Sequence, residues 1–156
     1  MSENKNVRLQ ADAEGEEARA RLRENYSEKA VDHMLHPRNM RPIIRPDGHA
    51  RVTTENGETV EFFLRLDHET LAECTFQTTA CAATLACASA AAELARDKGL
   101  NEVLAVVTAE RILDELDGLP EGNIHCSSQV AAAFRQAVAD AVIHKAAPWK
   151  KLYRKT

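Results

Sequence analysis

The 156-residue chain is long enough for one domain with a real hydrophobic core and short for two of ordinary size. Apolar residues make up 44% of it but aromatics only 4%, so the interior is expected to be alanine, leucine and valine in closely packed helices. A net charge of -4 with interspersed signs argues for neither a nucleic-acid nor a membrane partner, and no apolar stretch reads as a secretory signal or a span, so a cytoplasmic protein is expected.

Residues 1–24 mix acidic and basic side chains with few large apolar ones and read as a mobile charged arm, transiently helical near Glu16 to Arg23. The ordered domain is expected over 25–146. Ser27 is placed to cap a helix whose apolar positions Ala30, Val31, Met34 and Leu35 follow helical spacing, and Pro37 ends it. Pro42, Pro46 and Asp47-Gly48 mark an irregular connection. Thr59 to Leu66, with Val60, Phe62, Leu64 and Leu66 at period two, pairs with Leu71 to Thr79 through a turn at Asp67 to Thr70; His49 to Thr54 adds a third strand before Asn56-Gly57. From Ala80 the pattern turns helical and alanine-rich up to a stop at Gly99. Leu100 to Val107 and Thr108 to Leu116 read as two short helices, and a last helix from about Cys126 to His144 places Val130, Phe134, Val138 and Val142 on one face. The tail 147–156 is basic and carries Trp149 and Tyr153; a solvated basic tail is the commoner meaning of such a run.

The four cysteines of a cytoplasmic chain are read as buried hydrophobes, redox groups or metal ligands and not as a disulfide framework. Cys81 and Cys126 each sit where a helix starts, Cys126 beside His125. Unpaired N–H groups and the helix dipole favour a thiolate there, and hence nucleophilicity or metal binding, against the plainer reading of two small core residues. Cys74 shares strand parity with Phe76 and reads as core, and Cys87 lies six residues beyond Cys81 on another side of the helix, so packing is its expected role. His33, His36, His49, His68 and His144 show no ligand spacing and are expected at the surface or at caps.

Three stretches together resemble the IscU/NifU-type iron-sulfur cluster assembly scaffolds. Tyr26-Ser27-Glu28-Lys29 with His36-Pro37-Arg38-Asn39 is similar to that family's opening helix and turn. Thr75 to Cys81 resembles the strand leading to its second ligand cysteine, and Ile124-His125-Cys126-Ser127 its His-Cys pair. The resemblance implies an α+β fold, a small three-stranded antiparallel sheet packed against about five helices. It implies a protein that is not an enzyme but binds iron or a [2Fe-2S] cluster, accepts persulfide sulfur from a cysteine desulfurase and serves apo iron-sulfur recipient proteins, with a homodimer left open. By position Cys81 is then a cluster ligand, Cys126 a ligand and the persulfide acceptor, and His125 an auxiliary ligand or proton-transfer group.

The departures from the family are specific. Asn56 stands in place of the first ligand cysteine and Glu58 in place of an aspartate, Ala80 and Ala82 replace the glycines flanking Cys81, and Leu119-Pro120-Glu121-Gly122-Asn123 replaces the chaperone-recognition stretch. An amide oxygen is a hard, neutral donor and a poor substitute for a thiolate toward iron-sulfur clusters. The remaining set, Glu58, Cys81, His125 and Cys126, fits tetrahedral zinc, one iron, or a cluster completed by a partner's cysteine. A degenerate homologue acting as a zinc-binding or regulatory module is the alternative function.

Overall fold

The computed structural model describes residues 15–146; the tail with Trp149 and Tyr153 lies outside them. The expected arm is described only from residue 15, and residues 15–25 form an exposed helix, α1. It hands over to α2 (Glu28–Leu35), where the Ser27 hydroxyl accepts from the Ala30 N–H at 3.0 Å, as its capping position predicts.

Strands β1 (Gly48–Thr53), β2 (Thr59–Asp67) and β3 (Thr70–Thr78) form an antiparallel sheet in sequence order, each within a residue of its expected span. Val60, Phe62 and Leu64 alternate onto the face that meets the helices and are fully buried. Phe62 lies edge-on to Phe134 of the last helix, ring centres 5.6 Å apart. Each sheet edge is tied to a neighbouring segment, which occupies a backbone group that could otherwise recruit another strand. At β1 the His49 N–H donates to the Asp140 carboxylate at 2.8 Å, and at β3 the Phe76 N–H donates to the Asn39 carbonyl at 3.0 Å.

Helix α3 (Ala82–Ala95) runs through the middle of the molecule, in contact with the sheet, α2 and α6, and is buried almost all round by alanine. It ends at Ala95, short of the expected stop at Gly99. The reason is tertiary: Asp97 adopts a left-handed φ of 66°, and Lys98 to Leu100 turns to bond the start of β3, with the Leu71 N–H on the Lys98 carbonyl and the Leu100 N–H on the Glu69 carbonyl, both at 2.8 Å. That pairing also shortens the next helix, α4, to Val103–Val106. Thr108 caps α5 (Ala109–Glu115) as expected, a short 3-10 turn covers Glu121–Asn123, and α6 spans His125–Ala146.

Two expectations for the core are corrected. Val130, Phe134 and Val138 are buried, but Val142 is 51% exposed and Ala141 takes the inward place. A strict four-residue step overshoots the 3.6-residue turn by about 40° each time, so the fourth position has rotated about 120° from the first. His33, expected at the surface, is 7% exposed, with Nδ1 2.7 Å from the Ser89 hydroxyl of α3. Ser89 also accepts the Arg38 N–H at 2.8 Å, so its own hydrogen goes to the imidazole, which must be neutral to receive it. Burial, helped by the Arg38 guanidinium, holds His33 down at about 4. His144 is also mostly enclosed, near Asp140 at 3.4 Å.

Candidate metal centre

Chain junctions meet at one end of the sheet. Cys81 is the N-cap of α3, immediately after β3, and Cys126 is the second residue of α6, one position inside the helix expected to follow it. The fold brings the two side chains close enough for each to act on the other's ionisation. Their surroundings differ: Cys81 is exposed and Cys126 is 2% exposed.

That asymmetry decides which thiol ionises first. Burial opposes the Cys81 thiolate, but the Thr84 N–H and hydroxyl, the Ala83 N–H and the Cys126 thiol outweigh it, and its pKa falls below the ordinary thiol value. The two N–H groups act on the sulfur electrostatically at the helix start, although neither closes a full capping hydrogen bond. Cys126 moves the other way. Burial pushes it up, the Thr84 hydroxyl opposes this, and the Cys81 thiolate and the Glu58 carboxylate add to the rise. The pair therefore loses its first proton from Cys81 and keeps the second on Cys126, shared with the neighbouring sulfur.

The other expected donors flank this pair without closing on it. His125 places Nε2 3.8 Å from the Cys126 sulfur, and Glu58 lies near enough for its charge to act on Cys126. Among the described residues no three Cys, His, Asp or Glu side chains are gathered into a metal-holding group, so a metal on the expected set would draw His125 and Glu58 inward. Asn56 is exposed at the tip of the β1–β2 turn, which closes through the Thr54 N–H on the Glu58 carbonyl at 2.7 Å. Cys74 is buried as expected and its thiol is pushed far up by burial. Cys87 is likewise fully buried, but it lies close enough beneath the pair for Cys126 and Cys81 to raise its thiol further after burial itself.

Three residues outside the expected ligand set also shape the site. The Thr84 hydroxyl lies 3.6 Å from the Cys81 sulfur and near enough to Cys126 to favour its thiolate. The Tyr26 hydroxyl accepts the Asn123 side-chain amide at 2.9 Å, tying the start of α2 to the turn before His125. Burial raises the Tyr26 pKa, and the two thiols add to this, which places the phenol in the same cluster. Only Thr84 had a legible signal, its i+3 spacing from Cys81 on one helix face.

Residues 25–146 match the family model described as NifU-like N terminal domain. The chain belongs to this family. Among NifU-like relatives, the iron-sulfur cluster assembly scaffold protein IscU 1 of Archaeoglobus fulgidus is 34% identical over 116 residues, 74% of this chain and 75% of the relative. The IscU scaffold of Escherichia coli K12 is 32% identical over 120 residues, 74% of this chain and 92% of the relative. These relatives are scaffolds by name, not enzymes. The crystal structure of a SUF-system scaffold candidate from Fervidobacterium islandicum AW-1 superposes with a TM-score of 0.52 at 17% identity, over 76% of this chain and 94% of that one. A crystal structure of a hypothetical protein gives a TM-score of 0.58 at 16% identity, over 71% and 94%. Both likenesses concern the fold, and they agree with the expected α+β architecture. No described helix is long and apolar enough to cross a membrane.

Proposed function

We propose that this NifU-like chain is a scaffold or carrier in iron-sulfur cluster assembly, holding iron or a [2Fe-2S] cluster as cargo on Cys81 and Cys126 and accepting sulfur from a cysteine desulfurase. The observation that carries the reading is the closeness of the two thiols, each acting on the other's ionisation, one from the end of β3 and one from the start of α6, at an end of the molecule where Cys81 is open to solvent. Thiolate is the donor type that iron-sulfur cargo requires, and His125 and Glu58 are the neighbours available to complete the set. Apo iron-sulfur proteins are the recipients this reading implies.

In the sulfur step a scaffold thiolate attacks the outer sulfur of the desulfurase persulfide. A new S–S bond forms on the scaffold, the donor's S–S bond breaks, and the desulfurase cysteine leaves as thiolate. The proposed acceptor is Cys126, while Cys81 is the more accessible thiolate, so the two are tested singly with labelled sulfur. Loss of transfer in Cys126→Ser with retention in Cys81→Ser supports the assignment; the reverse pattern transfers the role to Cys81.

Asn56 favours a second reading, a degenerate homologue that binds zinc or regulates the assembly machinery. Anaerobic reconstitution with iron, cysteine and a desulfurase separates the two. A cluster in the wild type supports the scaffold, whereas a cluster formed only in Asn56→Cys supports the degenerate module.

A further inference from the structure

No sequence motif singles out Thr84, yet its hydroxyl is in contact with the Cys81 sulfur. It lies in the first turn of α3, 2% exposed, with Oγ1 3.6 Å from the Cys81 sulfur and near enough to Cys126 to favour its thiolate. A hydroxyl has one hydrogen to give, and a thiolate at Cys81 can only accept it, so the observed contact is an O–H···S bond from Thr84 to Cys81. Buried polar groups are costly unless satisfied, and here the partner is the Cys81 sulfur. The two cysteines come from different helices, and Asn56 leaves them without the third cysteine that would help fix their geometry.

We infer that Thr84 is a positioning residue for the cargo site: its hydroxyl holds the Cys81 sulfur in place beside Cys126 and donates an O–H···S bond to it once it binds metal. This rests on the reading of the pair as a metal-binding site. The chemistry is that of an outer-shell partner, which orients ligands and moderates the electron donation of a thiolate without touching the metal. The role is specific to a side chain with a hydroxyl at this position. Valine has the same shape and cannot serve it, while serine can.

The test uses Co(II) added anaerobically to the full chain, with Cys81→Ala as the control that the thiolate-to-cobalt band comes from this site. Wild type and Thr84→Ser are expected to share the band position and affinity. Thr84→Val is expected to shift the band and to bind roughly tenfold or more weakly, the size of effect typical of outer-shell losses, while the metal-free variant unfolds at a temperature close to wild type. A band and affinity unchanged in Thr84→Val would overturn the inference, as would Thr84→Ser behaving like Thr84→Val, which would assign the effect to packing. A wild type with no such band defeats the metal-site reading and this inference with it, so that failure is distinct from that of Thr84 alone.

Discussion

His33 shows how much of a residue's chemistry is set by what it packs against. Burial resists the charge of the ring and the Arg38 guanidinium adds to this, so its folded pKa of about 4 lies below the ordinary 6.5, and the neutral ring accepts from Ser89. The unfolded chain therefore binds a proton more readily between those values, and stability rises with pH across that window. The contribution is complete above pH 6.5 and is lost as pH falls toward 4, to an extent on the order of 3 kcal/mol at the acid end. Urea midpoints should drop between pH 7 and pH 4.5 in the wild type and drop less in His33→Gln; equal pH dependence in the two would contradict this. In the sequence His33 was one of several scattered histidines, and nothing local distinguishes it, because Ser89 lies 56 residues away. The same limit applies to the cysteines. Their places at helix starts were legible from neighbouring residues, but the division into an exposed thiolate and a buried thiol depends on Thr84 and on burial, which only the folded chain supplies.

At the scale of elements, β1 and α6 approach closely enough to exclude a methyl group. A Cβ on Gly48 would lie 2.6 Å from the Ala137 carbonyl oxygen and 2.6 Å from the Ala141 Cβ, both on α6. Gly48→Ala should therefore cost roughly 1–3 kcal/mol by forcing the helix off the strand, and an unchanged unfolding midpoint would refute that close approach. In α6 the turn-by-turn drift makes a second test. Val138→Ala should cost roughly 2 kcal/mol as a buried truncation, and Val142→Ala should stay within about 0.5 kcal/mol as a surface change. The alternation of β2 and the caps at Ser27 and Thr108 were legible because they are local, repeating patterns. The end of α3 was not, since Lys98 and Leu100 are drawn to β3 by bonds to residues far back in the chain.

Over the whole molecule, the site is assembled from junctions: Tyr26 before α2, Glu58 before β2, Cys81 before α3 and His125-Cys126 at the start of α6. The order of these residues in the sequence pointed to the family, and the hydrophobic pattern pointed to the sheet and helices. What the order alone did not contain was that two of the four expected ligands meet while His125 and Glu58 stand beside them. The core built on Phe62, Phe76 and Phe134 with the alanines of α3 includes none of Glu58, Cys81 and His125. Chelation of a bound metal should accordingly leave the far-ultraviolet helix signal near its loaded value; collapse of that signal would mark a structural metal instead.

The central claim is that Cys81 and Cys126 together hold the cargo although Asn56 replaces the first cysteine. The most direct measurement is iron content and visible absorption after anaerobic loading of the wild type, Cys81→Ser and Cys126→Ser, with circular dichroism confirming that all three are folded. The prediction is bound, coloured iron in the wild type and its loss in each single variant. Iron retained unchanged in both variants, or absent from a folded wild type, would contradict it.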